Sequence, residues 1–259
     1  MTEVPMSSAL GAEGGVRIGY IFSRAFAVLS RHFVSFALLA AIPVVPATLF
    51  GRLASSPSLA ESMRVGATHI SAGTVLSLFV GFFLWFLLAM IAQAMILYGT
   101  FQDMRGKPVD VVESAKRGLA RALPIVGVSI CVGFMAVLGA ALLVVPAFIF
   151  FSMYYVALPA CVVEKLGPFE SMSRSAALTK GHRWKVFGLY MVIGVVGFIA
   201  NIVITRVFGL FGSTILLLAS LIWASLIGAY RSITVAVLYH DLRAAREGID
   251  IEQMVAVFD

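Results

Sequence analysis

LPIVGVSICVGFMAVLGAALLVVPAFIFFSMYYVALPACVV, residues 123–163, is an apolar run of 41 residues without one charged side chain. A helix crosses a bilayer in about 20 apolar residues, so this run is twice as long as one crossing needs. Pro146, in Leu143-Val-Val-Pro146, is where a helix would break, and dividing the run there gives two spans joined by a tight turn. Outward from this stretch lie four further apolar runs: Phe33–Phe50 and Val75–Phe101 before it, Trp184–Phe208 and Ser213–His240 after it. Together they give six spans. The alternative is five, with residues 123–163 as one long or re-entrant element.

Charge favours six. With the N-terminus inside, the inner segments hold Arg17, Arg24 and Arg31, then Arg105, Lys107, Lys116, Arg117 and Arg121. They also hold Lys165, Arg174, Lys180, Arg183 and Lys185, then Arg243 and Arg246. That is fifteen of the nineteen Lys and Arg residues. The outer loops hold Arg52, Arg64 and Arg206, and Arg231 lies within the last span. Basic residues collect on the cytoplasmic side of membrane proteins, so this arrangement places both termini in the cytoplasm. Five spans would move 164–185 outside and spoil the asymmetry.

Composition agrees. Apolar residues make up 61% of the chain and charged residues 12%, with a mean hydropathy of +1.00. Soluble domains are typically about 45–50% apolar and about 25% charged. The expected fold is therefore all-α, a polytopic membrane bundle of about six transmembrane helices with amphipathic helices at the cytoplasmic interface. The net charge of +6 and pI near 9.6 read as attraction to anionic headgroups, since there is no basic soluble domain to carry nucleic acid. Met1–Gly15 lacks the basic start and apolar core of a signal peptide, so we expect no cleavage. The chain divides into a flexible tail (1–15), one membrane domain (16–245) and a C-terminal cytoplasmic tail (246–259).

Three inner segments have helical periodicity. In Val16–His32 the residues Ile18, Ile21, Phe22, Ala25, Val28 and Leu29 share one stripe, and Arg17, Arg24 and Arg31 share another. This describes an amphipathic helix lying in the headgroup layer. Val109–Ala122 and Pro168–Lys180 look alike, each acidic early (Asp110, Glu113; Glu170) and basic late (Lys116, Arg117, Arg121; Arg174, Lys180), as the helix dipole favours. Glu113-Ser-Ala-Lys-Arg117 aligns with Glu170-Ser-Met-Ser-Arg174. An internal repeat of one interfacial helix and a two-span hairpin, used three times, explains these similarities, and so does the shared chemistry of cytoplasmic connectors.

Two segments are distinctive: Val162-Val-Glu-Lys-Leu-Gly-Pro-Phe-Glu170 with Ser173–Phe187, and Leu238-Tyr-His-Asp-Leu-Arg243 with Glu247–Glu252. Together they resemble the membrane domain attached to some bacterial glycerophosphodiester phosphodiesterases, and the related YciC-like inner-membrane proteins. The resemblance implies a six-helix membrane domain of the bacterial cytoplasmic membrane. In those enzymes a separate soluble barrel holds the metal and the catalytic His and Glu residues. The spans leave no room for such a barrel here, so that activity is not carried over.

Chemistry-bearing residues are sparse. His32, His69, His182 and His240 are scattered, Cys131 and Cys161 form no CxxC, and neither a nucleophile elbow nor a phosphate loop is present. We therefore expect no catalytic residue, no metal and no cofactor. Gly194, Gly197 and Asn201 read as a helix-packing face. The polar groups expected at membrane depth are Gln93, Asn201 and Arg231. Arg231 lies nine residues before His240, about 13 Å along a helix, and must snorkel, pair or line a wet cavity. Pro43 and Pro46 should kink the first span. The residues expected to meet headgroups are Arg24, Arg31, Arg117, Arg121, Arg174, His182 and Arg183.

Three functions follow as expectations. The first is a non-catalytic protein that organises anionic lipid, a protein partner or a second copy of itself. The second is a permease for a lipid or small amphiphile, which requires a polar cavity containing Arg231. The third is a lipid-acting enzyme, which requires Glu164, Glu170, His182, His240 and Asp241 to converge at one depth.

Overall fold

The computed structural model describes residues 17–54, 72–142 and 144–247. The N-terminal tail 1–15, most of the outer connector with Arg64 and His69, and residues 248–259 lie outside the described residues. Among the described residues ten helices follow in chain order. They are α1 (Ile18–Arg31), α2 (Phe33–Ala54), α3 (Ala72–Met104), α4 (Val111–Ala120), α5 (Ala122–Leu142), α6 (Val144–Tyr154), α7 (Ala157–Glu164), α8 (Pro168–Thr179), α9 (Arg183–Gly209) and α10 (Ser213–Glu247). No strand occurs among the described residues.

Three helices are long and apolar enough to cross a membrane, those carrying Phe79–Met104, Arg183–Gly209 and Ser213–Glu247. The number is up to five if each of two bent pairs is counted as one span: α1 turns into α2 through 93°, and α4 into α5 through 65°. The expected fourth span differs. Helices α5 and α6 lie on either side of residue 143 and pack on one another, with Pro146 in the first turn of α6, in keeping with two elements divided in this region. The returning segment breaks at Tyr155-Val156, so it runs as helices of 11 and 8 residues. The described apolar stretch here, Phe148–Glu164, is shorter than a usual crossing. A break frees helix carbonyls, and α8 takes one up: Ser175 Oγ donates to Met153 O at 2.8 Å and Thr179 Oγ1 to the same atom at 3.3 Å.

The three connectors form helices where the periodicity placed them, but α1 does not spend its apolar stripe on lipid. Ile21, Ala25, Val28 and Leu29 are buried in one cluster with Ala229, Ile233, Val237 and Leu242 of α10. The apolar face of α1 is thus part of the protein core, a correction to the picture of a helix floating in the headgroup layer. In α4 the buried residues are small, Ser114 and Gly118; in α8 the hydroxyls of Ser171, Ser175 and Thr179 are buried together with Met172 and Leu178. Gly118 lies so close to α3 that a Cβ there would meet Met95 Cγ at 2.7 Å. Val112, Leu119 and Phe169 stay exposed.

The core centres on the second half of α10. Eight successive residues, Ser232 to Tyr239, are buried on every side of the helix. Around them pack α1, α2, α3, α7, α8 and α9. The first half of α10 and the second half of α9 form a hairpin, closed through Leu210, Phe211 and Gly212, the last at a φ of 103° that suits glycine. A Cβ at Gly197 would meet Ile227 across this hairpin at 3.6 Å, whereas one at Gly194 would meet nothing within 4 Å, so only part of the small-residue face makes a helix contact. Helix α2 continues through Pro43 and Pro46, and the sharp turn in this region comes earlier, at His32 between α1 and α2.

Candidate functional site

The charged residues of the connectors gather at one end of the bundle, where ion pairs tie α1, α3, α7, α8 and α10 together. Arg174 of α8 is the hub. Its Nε donates to both oxygens of Glu164 at 2.9 Å, and its Nη2 donates to Glu247. Tyr239 Oη donates to Glu164 at 2.6 Å, and Arg243 Nε donates to Glu247 at 2.8 Å. The network is half-buried, and its carboxylate lone pairs are well used. Charge-assisted hydrogen bonds in such a setting are the strong ones.

Three further arginines have acids of their own. Arg24 hydrogen-bonds to Tyr20 Oη at 3.1 Å and lies 4.0 Å from Asp241. Arg31 donates to Asp103 at 3.1 Å, and the same oxygen meets His32 Nε2 at 3.0 Å. Asp103 is 7% exposed while Arg31 is 62% exposed, so His32 is the more buried of its two partners. Arg117 donates to Tyr98 Oη at 2.7 Å and to Glu113. The Tyr98 hydroxyl first, then the Glu113 carboxylate, hold this guanidinium above the ordinary arginine value. Glu170 accepts from the Gly167 N–H at 3.0 Å, and Asp110 caps α4 by accepting from Val112 and Glu113.

The expected acids therefore do not converge. Glu164, Glu170 and Asp241 each serve a different partner, and no group of three His, Cys, Asp or Glu residues among those described is placed to hold a metal ion. A carboxylate already held by arginine has little left for acid–base chemistry.

The three polar residues expected at depth are also apart. Gln93 is half-buried in α3, while Asn201 of α9 and Arg231 of α10 are exposed. Arg231 sits within Coulombic reach of Tyr155 at the α6–α7 break. It faces away from the buried run that starts at Ser232.

Of the remaining expected contacts, Arg121 closes α4, where its N–H bonds to the carbonyls of Gly118 and Leu119. His182 and Arg183 lie at the start of α9 and form a different setting. Lys180, Gly181, Arg183 and Trp184 line an open concavity of about 290 Å3. Among the described residues no carboxylate lies within ion-pair distance of Lys180, Arg183 or Lys185. His182 Nδ1 and Arg183 Nε are buried atoms without a hydrogen-bond partner. Trp184 is 80% exposed on the rim.

Sequence reasoning missed Asp103, Glu247 and Tyr239 as partners, and Lys180, Gly181 and Trp184 as one lining. The signal for the last group was present, because Lys180-Gly-His-Arg-Trp-Lys185 puts three cations and a tryptophan at the mouth of an apolar run. Neither a family model, nor a curated protein, nor a solved structure matches the chain.

Proposed function

We propose that this chain is a non-catalytic multi-pass protein of the bacterial cytoplasmic membrane whose basic end gathers anionic lipid. In this reading α2, α3, α5, the broken pair α6–α7, α9 and α10 are six crossings, with both termini and the ion-paired end on the cytoplasmic side. The placement of fifteen of nineteen basic residues supports that orientation. The resemblance to the phosphodiesterase membrane domain belongs to the same proposal, without its enzymatic activity.

The observation that carries the reading is the pairing of two kinds of surface at one end. Unpaired cations (Lys180, Arg183, Lys185) lie close in sequence to exposed large apolar residues, Phe169 at 77% and Trp184 at 80%. Apolar side chains that enter the acyl boundary beside cations that meet phosphates are what an anionic interface selects. A permease would draw on Arg231, but this arginine is exposed and lies about 13 Å along the helix from His240, so it can extend toward the interface, which supports the non-transporting reading.

Native mass spectrometry of the full chain, released from mixed phosphatidylcholine and phosphatidylglycerol, tests this. We expect retained lipid to be enriched in phosphatidylglycerol over the supplied mixture. Retention in the supplied ratio overturns the proposal.

A further inference from the structure

The concavity at the start of α9 gathers, in one short stretch of chain, cations that have no carboxylate partner among the described residues. Arg24, Arg31, Arg117 and Arg174 each have a carboxylate within 4.0 Å. Lys180, Arg183 and Lys185 have none among the described residues, and the Arg246 guanidinium donates to Lys180 O, which adds a fourth cation at the edge. The acids nearest in the fold are already taken: Glu164 and Glu247 by Arg174 and Arg243, Glu170 by a backbone N–H.

The local geometry adds donors. Gly181 has a φ of 87°, where a side chain would be strained, and it turns the chain sharply between α8 and α9. His182 occupies the cap position of α9 and makes no side-chain cap hydrogen bond, so the first-turn N–H groups have no cap acceptor. Arg183 Nε always carries its proton, and here it is buried without an acceptor. A ligand in the open concavity meets the terminal guanidinium nitrogens of Arg183, because an enclosed Nε is out of its reach.

We infer that this corner is a binding site for the phosphate of an anionic lipid headgroup. The inference rests on the lipid-gathering role proposed above and narrows it to one site. Phosphate fits the donors: it accepts from a guanidinium in bidentate fashion, it is favoured at a helix N-terminus, and it takes several hydrogen bonds at once. A volume of about 290 Å3 sits at the small end of ligand pockets, which is headgroup-sized. The lipid source follows from what adjoins the site. Trp184 is exposed at the rim, where tryptophan sits at headgroup level, and α9 continues at once into exposed Val192, Val195 and Val196. A phosphate held here leaves its acyl chains against that apolar face.

The test uses the full chain with Trp184 as its sole tryptophan (Trp85→Phe, Trp223→Phe), reconstituted in phosphatidylcholine vesicles. Either phosphatidylglycerol or further phosphatidylcholine is added with brominated chains, and quenching of Trp184 is compared at equal mole fraction. We expect brominated phosphatidylglycerol to quench several-fold more effectively. That preference should fall at least about five-fold in Arg183→Gln and Lys180→Gln, and persist in Arg31→Gln. Native mass spectrometry on chains that keep all three tryptophans checks the same variants without the tryptophan replacements. Equal quenching by the two lipids, or a preference that survives Arg183→Gln, overturns the site. If phosphatidylglycerol is still enriched overall in those chains, the site alone has failed and the general lipid reading stands. Loss of the preference on adding inorganic phosphate assigns the corner to a soluble ion and overturns the lipid source.

Discussion

The two halves of α10 belong to one continuous helix, yet they sit in different surroundings. From Ser213 to Ala224 no residue is buried; from Ser232 to Tyr239 every residue is. The second half carries a run of small buried residues, Ser225, Ala229, Ser232 and Ala236, at helical spacing. Small residues let neighbouring backbones approach, and in lipid such packing, not escape from water, holds helices together. The first half has the hydropathy for a membrane but no protein neighbours on most sides. Hydropathy reports the solvent a helix tolerates, and burial reports what the fold has done with it.

The sharpest way to break this comparison is to truncate one side chain in each half. Ile233→Ala should cost about 2–5 kcal/mol, since Ile233 is wholly enclosed. Leu218→Ala, at an exposed position, should stay within about 0.5 kcal/mol. Unfolding in mixed micelles by added SDS, followed by circular dichroism, measures both. Similar losses at the two sites would mean that the hairpin is packed as tightly as the core.

A methyl group added to a glycine asks the same question of backbone spacing. Gly118→Ala should destabilise by about 1–3 kcal/mol, because α3 already stands against that position. Gly194→Ala, in the sparse half of α9 with nothing within 4 Å, should be neutral or gain up to about 1 kcal/mol from helix propensity. Midpoints of the same SDS titration decide it.

Charge removal separates the two ends. Arg174→Ala should cost about 1.5–3 kcal/mol, because it leaves Glu164 and Glu247 without their shared cation. Arg206→Ala, exposed near the α9–α10 turn, should change stability by less than about 0.5 kcal/mol. The smallest effect within the ion-paired end is expected for Arg31→Ala, at most about 1 kcal/mol, because that arginine is largely exposed and His32 still holds Asp103. Thermal melts in detergent, compared pairwise, rank the three.

Much of the helical layout was legible in the sequence. The apolar runs, the division near Pro146 and the three connector helices all lie close to where periodicity put them. The stripe of α1 was visible, but its partner was not, since a helix that packs on protein and one that lies on lipid carry the same apolar face. The break at Tyr155-Val156 has no breaker beside it; Pro159 stands three residues further on. What makes the break tolerable is remote, the hydroxyls of Ser175 and Thr179 on Met153 O. Four of the seven expected headgroup residues, Arg24, Arg31, Arg117 and Arg174, are held by acids within the protein, while Arg121 gives only its backbone N–H to a helix end. Which arginine meets which acid depends on helices far apart in the chain, so spacing alone could not separate them from His182 and Arg183.

The buried half of α10 also imposes an order on biosynthesis. Of the ten helices it leaves the ribosome last, yet α1, α2, α3, α7, α8 and α9 all pack on it. The earlier helices must wait in the membrane with their inner faces unmatched, including buried hydroxyls and the acids of the basic end. Assembly is then a closing event triggered by one late segment rather than a sequence of finished hairpins. Until that segment arrives, the nascent chain is the form most open to quality-control proteases and to wrong partners.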